Sequence, residues 1–122
     1  NLIKVQTDNE GRILIIELEK TIAKLRRDNK KPFIIIGTAG TTVLGSFDNI
    51  PDLVKISKKY NIWLHIDGSL GGSIIFNKML YHKLLSKLNH VDSFCFNPHK
   101  MLNLNLQSSI LLINKEYFYV TF

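Results

Sequence analysis

Two short stretches of this 122-residue chain carry the residue types from which chemistry can be built. Asp67 ends the apolar run Ile62-Trp63-Leu64-His65-Ile66, and Lys100 closes Phe94-Cys95-Phe96-Asn97-Pro98-His99-Lys100. A lysine that forms an imine with an aldehyde needs a neutral amine, whereas a pyridine nitrogen acting as an electron sink needs a proton held beside a carboxylate. Burial and positive neighbours favour the first, and an adjacent aspartate favours the second. If the two strands lie side by side, their ends sit about 5 Å apart. One flat heteroaromatic ring could then touch Asp67 at one side and Lys100 at the other. A third loop, Thr38-Ala39-Gly40-Thr41-Thr42, adds hydroxyls on small residues.

The elements that would position these residues follow from periodicity. Leu2-Ile3-Lys4-Val5 reads as a strand, and Asp8-Asn9-Glu10-Gly11 as a turn. Leu14, Leu18, Ile22 and Leu25 recur at helical spacing, with Arg26, Arg27, Lys30 and Lys31 at the C-terminal end where the helix dipole favours cations. Phe33-Ile34-Ile35-Ile36 is a continuous apolar run, the pattern of a strand covered on both faces. Asp48 or Asn49 can cap a helix that has Pro51 in its first turn and continues to Tyr60. Strands are expected at 62–66, 91–96 and 109–113, with a helix from about Met79 to Leu88. Alternating helices and short strands predict an α/β fold with a mainly parallel sheet and flanking helices. Ligands then collect beyond the carboxyl ends of the strands, where Thr42, Asp67 and Lys100 fall. Together these features predict a pyridoxal phosphate site.

Each residue also has a plainer reading. An aspartate after a strand can be a turn former, and Thr41 and Thr42 can satisfy loop amides. His65 shares a strand face with Asp67 by alternation and could orient it or be a structural histidine. His82 and His90 read as helix-surface and turn residues. Cys95 reads as inert core.

Composition narrows the classes. The chain is 45% hydrophobic and 21% charged, an ordinary globular balance, so one domain or part of one is expected. The net charge of +6 is spread along helical faces, so no nucleic-acid partner is expected. A single cysteine rules out an intrachain disulfide and a cysteine-cluster metal site; no metal is predicted. No apolar stretch approaches the roughly 18 residues of a membrane span, no secretory signal pattern opens the chain, and a cytoplasmic protein is expected. Without a starting Met and with apolar residues at both ends, the sequence reads as an internal piece of a longer polypeptide.

Three stretches in order, "TAGTTVLGSFD", "YNIWLHIDGSLGGS" and "DSFCFNPHKML", resemble the group II pyridoxal phosphate-dependent amino-acid decarboxylases, and the similarity runs from about Leu2 to Ile113. The resemblance implies that residues 1–122 are the central part of the large domain of a fold-type I enzyme, without its upstream segment or C-terminal small domain. It also implies pyridoxal 5'-phosphate as cofactor and a homodimeric full-length protein. By position, Lys100 resembles the lysine that holds the cofactor as an internal aldimine, and Asp67 the carboxylate paired with the pyridinium nitrogen. Thr42 matches a cofactor-contacting threonine, Asn97 a residue near the phosphate, and His99 the histidine beside the lysine. Ser69 stands where the family usually has alanine against the ring face, and Ser108 where it often has cysteine in a strand. "GTTVLGSFD" and "HKML" look closer to the glutamate and cysteine sulfinate members, which implies an acidic amino-acid substrate. The implied reaction is decarboxylation to the amine and CO2, with the 122 residues alone inactive. Alternatives are another fold-type I pyridoxal phosphate enzyme, such as a lyase or desulfurase, or a non-catalytic remnant.

Overall fold

In the computed structural model, residues 1–114 are described; residues 115–122, with the apolar end Tyr117–Phe122, lie outside them. The elements are α1 (Ile15–Arg27), β1 (Ile34–Thr38), α2 (Ile50–Tyr60), β2 (Trp63–Gly68), a 3-10 helix (Gly71–Phe76), α3 (Lys78–Leu84), β3 (Ser93–Phe96), α4 (Pro98–Met101) and β4 (Ile110–Ile113). The strands form one sheet in the order β1-β2-β3-β4. β1, β2 and β3 run parallel, joined by helical crossovers, and β4 returns antiparallel against β3. This is the expected α/β architecture with a mainly parallel sheet.

α1 exists because its apolar positions fall on one stripe, of which Leu18 and Ile22 are buried. Glu17 in its first turn and Lys24, Arg26 and Arg27 in its last complement the dipole. It stops there because Asn29 enters the left-handed region at φ 55°, so Lys30 and Lys31 lie past its end. α2 is capped by Asn49, whose side chain accepts from the Asp52 amide at 3.2 Å, and it ends on left-handed Asn61. Its buried face, Ile50, Leu53, Val54 and Ile56, meets Leu64 and Ile66 of β2 in the core.

Three expected elements differ. Leu2–Val5 is not a strand: it finds no strand partner among the described residues, the nearby bridge being Thr7 with Ile13, and Leu2 and Ile3 are exposed. β1 is covered on one face only. Ile35 and Gly37 point into the core, whereas Ile36 on the other face is 50% exposed. The helix expected to Leu88 ends at Leu84, because Lys87 takes a left-handed conformation at φ 68° and Leu88–His90 form a separate 3-10 turn.

Small residues let the strand ends close on one another. Ala39 donates to the Asp67 carbonyl at 2.8 Å and accepts from the Gly71 amide at 3.1 Å, so the loops after β1 and β2 are tied together. A Cβ on Gly40, whose φ is +87°, would lie 2.7 Å from both Cα and N of Gly71. Both partners are backbone and cannot swing aside. Gly40→Ala is therefore expected to destabilise the protein by about 1–3 kcal/mol, measured as a lower denaturant midpoint at unchanged slope.

Asp48 is the second tie. Its carboxylate accepts from the Ile13 amide and the Thr38 amide, each at 2.7 Å, while its own amide donates to the Thr38 carbonyl. Burial pushes this carboxyl above its ordinary value of 3.8, against the pull of the two amides and with the Asp8 charge adding to the rise. The sign follows: its contribution to stability is full below 3.8 and declines as pH rises through the folded value. Asp48→Ala leaves both amides without their acceptor and is expected to cost about 1–3 kcal/mol, read by urea unfolding.

Candidate active site

Parallel pairing puts the ends of β1, β2 and β3 at one edge, with Thr38 opposite Asp67 and Asp67 opposite Cys95. The loops carrying Thr42, Ser69 and Lys100 all leave from this edge. Alternation assigns Trp63, His65 and Asp67 to the face of β2 that is only partly covered, because Leu64, Ile66 and Gly68 take the core side. Ser93 and Cys95 are their cross-strand neighbours on the same face.

Asp67 is half-buried. Oδ1 accepts from the Ser69 amide at 2.9 Å and from the Cys95 thiol at 3.6 Å. The Ser69 hydroxyl also donates to the carboxylate. Burial would raise the carboxyl pKa, but hydrogen bonds from the Ser69 hydroxyl and amide and from the Cys95 thiol outweigh it and hold the group below its ordinary value. The carboxylate stays ionised. Gly68 beneath it is packed so tightly that a Cβ would lie 2.4 Å from the Phe94 ring and 2.8 Å from the Cys95 carbonyl.

β3 delivers the lysine. The chain leaves Phe96, passes Asn97 and turns into α4, which Pro98 can open because its missing N–H has no helical partner to lose. Lys100 is exposed, and its amine makes no ion pair or hydrogen bond among the described residues. Its neighbours are committed. Asn97 Oδ1 accepts from the Ser109 hydroxyl at 2.5 Å, and His99 Nδ1 lies 2.7 Å from the Ser108 carbonyl and 3.1 Å from its amide. Ser108 is thus not in a strand; it precedes β4 and ties the segment before that strand to His99.

Thr42 stands on the exposed loop after β1, where Thr41 does the structural work: its Oγ1 accepts from the Ser46 amide at 3.0 Å. Cys95 is the residue that sequence reasoning misplaced. It is partly exposed, with Sγ 3.6 Å from His65 Nε2 and 3.9 Å from Ser69 Oγ. The signal was its parity: Phe94 and Phe96 take the core, so Cys95 must face the Asp67 side. Burial raises the thiol pKa and the Asp67 charge raises it further, so it remains a protonated donor.

Residues 1–120 match the pyridoxal-dependent decarboxylase conserved domain. The chain belongs to that family. A human relative, acidic amino acid decarboxylase GADL1, is 39% identical over 116 residues, covering 95% of this chain and 22% of its own length. The crystal structure of mouse CSAD aligns with a TM-score of 0.86 at 36% identity, covering 89% of this chain and 23% of that one. Catharanthus roseus tryptophan decarboxylase, solved with L-tryptophan, aligns with a TM-score of 0.83 at 27% identity, over 92% of this chain and 24% of its own. The chain spans about a fifth of the length of the curated relatives it matches. The fold is that of the fold-type I pyridoxal phosphate decarboxylases.

The residues of this edge fit the cofactor that the family description names. An ionised carboxylate suits a protonated ring nitrogen, and a lysine amine just past the neighbouring strand, without a partner among the described residues, suits an aldehyde.

Proposed function

We propose that the protein decarboxylates an acidic amino acid to the corresponding amine and CO2, with pyridoxal 5'-phosphate as cofactor. The observation that carries this reading is the placement of ionised Asp67 at the end of β2 and of Lys100 just past the end of the neighbouring β3, at one edge of the sheet. In this reading Asp67 would hold a proton at the ring nitrogen, and Lys100 would hold the cofactor through Nζ and carry protons at the substrate carbon. Ser69 lies against the ring face, and Thr42, Asn97 and His99 complete the cofactor contacts. When bound, the cofactor supplies the electron sink for the pair released with CO2. The human relative's name, and the likeness of the loop after β1 to acidic-substrate members, support an acidic side chain on the substrate.

We place residues 1–122 in the central part of the cofactor-binding large domain. Phosphate binding, substrate carboxylate recognition and closure then depend on segments beyond these residues, and the 122-residue polypeptide alone is expected to release little or no CO2. The full-length protein is read as a cytoplasmic homodimer; among the described residues no helix is long and apolar enough to cross a membrane.

The test is product analysis with the full reading frame. Purified protein supplied with pyridoxal phosphate and glutamate, aspartate or cysteine sulfinate should yield the amine and stoichiometric CO2 from at least one. Elimination or sulfur release without CO2 would assign a different bond cleavage, and no turnover in any of these assays would favour a non-catalytic protein.

A further inference from the structure

We propose that Trp63, Ser93, His65 and Cys95 form a one-directional hydrogen-bond chain that orients the Asp67 carboxylate, with His65 fixed as the neutral Nε2–H tautomer. This rests on the reading of Asp67 as the partner of the cofactor's ring nitrogen.

The direction is set by the chemistry of the two ends. Trp63 Nε1 can only donate, and it lies 2.8 Å from Ser93 Oγ. The Ser93 hydroxyl therefore accepts there and keeps its own proton for another partner. That hydroxyl is buried, and His65 Nδ1 at 2.8 Å is the one acceptor it meets among the described residues. If Nδ1 carried the proton instead, two donors would point at one oxygen whose own hydrogen had nowhere to go. Nδ1 is thus the acceptor, and the ring proton sits on Nε2.

Nε2–H faces Cys95 Sγ at 3.6 Å, and the thiol proton is passed on to Asp67 Oδ1 at 3.6 Å. The far end is as restricted as the near one, because an ionised carboxylate can only accept. Ser69 Oγ competes for the thiol proton but lies farther away, at 3.9 Å, and is neutral. Every group in the series then gives its proton in the same direction, from the indole to the carboxylate.

The effect on Asp67 is positional. The chain and the Ser69 amide both engage Oδ1, which fixes the plane of the carboxyl. His65 and Cys95 are on this account positioning residues that act through Asp67. Neither is required to touch substrate.

The test uses the full-length protein loaded with pyridoxal phosphate and labelled with 15N-histidine. The His65 signal, assigned by its loss in His65→Gln, should report a ring protonated at Nε2 and not at Nδ1, and Ser93→Ala should remove that preference. An Nδ1–H ring or an imidazolium in the unsubstituted protein overturns the proposal. Infrared absorption of the Cys95 S–H stretch should move to higher frequency in Asp67→Asn, where the acceptor loses its charge; an unmoved band overturns the last link. In turnover, Cys95→Ala should lower kcat by about 3- to 30-fold with KM within about twofold, and Cys95→Ser, which keeps a donor and an acceptor, should restore most of it. Equal losses in the two variants would mean that Cys95 only packs.

Failure of the functional reading looks different. If Asp67→Asn leaves cofactor affinity and turnover unchanged while His65 is the Nε2–H tautomer, the hydrogen-bond direction stands and the role given to Asp67 falls. If Asp67→Asn abolishes turnover but His65 carries its proton on Nδ1, the chain falls and the functional reading stands.

Discussion

Replacing Lys100 with alanine in the full-length protein is expected to remove the visible absorbance of covalently held cofactor and to lower kcat by about 10³-fold or more. The size follows from what is lost: a nucleophilic amine that attaches the cofactor and a proton carrier at the reacting carbon, both from one side chain. Lys100 is exposed in α4 and has no ion pair or hydrogen bond among the described residues, so the fold does not depend on its charge. Stability should therefore stay within about 0.5 kcal/mol of the unsubstituted protein, which separates loss of chemistry from loss of folding. Lys100→Arg is the matching control. It keeps a cation at the site but cannot form the imine, and should lose the absorbance as completely as alanine. Retained absorbance in either variant would remove Lys100 from the role proposed for it.

The lysine and the aspartate were legible in the sequence because strand ends in a parallel sheet must share an edge, and apolar runs mark those strands. The α/β class, the helix from Ile15 and a cap at Asp48 or Asn49, which the structure gives to Asn49, followed from periodicity and local chemistry, which are written within a few residues of each other. What the sequence could not show depends on partners distant in the chain. Leu2–Val5 has the composition of a strand, but a strand also needs a neighbour to pair with, and none is met among the described residues. The β1 run looks buried on both sides because Ile34 and Ile36 are as apolar as Ile35; which face α2 covers is decided by packing. Ser108 was misread for a similar reason. Its neighbours are strand-forming, yet its backbone is engaged by His99, nine residues earlier. The His65–Cys95 contact combines both limits: parity placed His65 beside Asp67, but the apolar company of Cys95 hid the fact that parity places it there too.

Asp67→Asn should be the second severe variant, with kcat lowered by about 10²- to 10³-fold. The substitution is nearly isosteric, so an amide oxygen can still accept from the Ser69 amide and the Cys95 thiol at the positions where Oδ1 now does. What disappears is the charge that keeps a ring nitrogen protonated, and with it the electron demand on which carbon–carboxylate cleavage depends. Cofactor affinity should fall as well, because a neutral amide offers a protonated ring nitrogen no counter-charge. The pH behaviour supplies an independent check. Against burial, the Ser69 and Cys95 donors keep the folded-state carboxyl below its ordinary value of 3.8. Ionised Asp67 therefore contributes stability that is present above 3.8 and lost as pH falls through the folded value. Asp67→Asn has no proton to gain in that range, so the difference in stability between the two proteins should shrink as acid is added. A difference that stays constant with pH would mean that the carboxylate is not held ionised by its neighbours, and the ring-nitrogen role would lose its electrostatic basis.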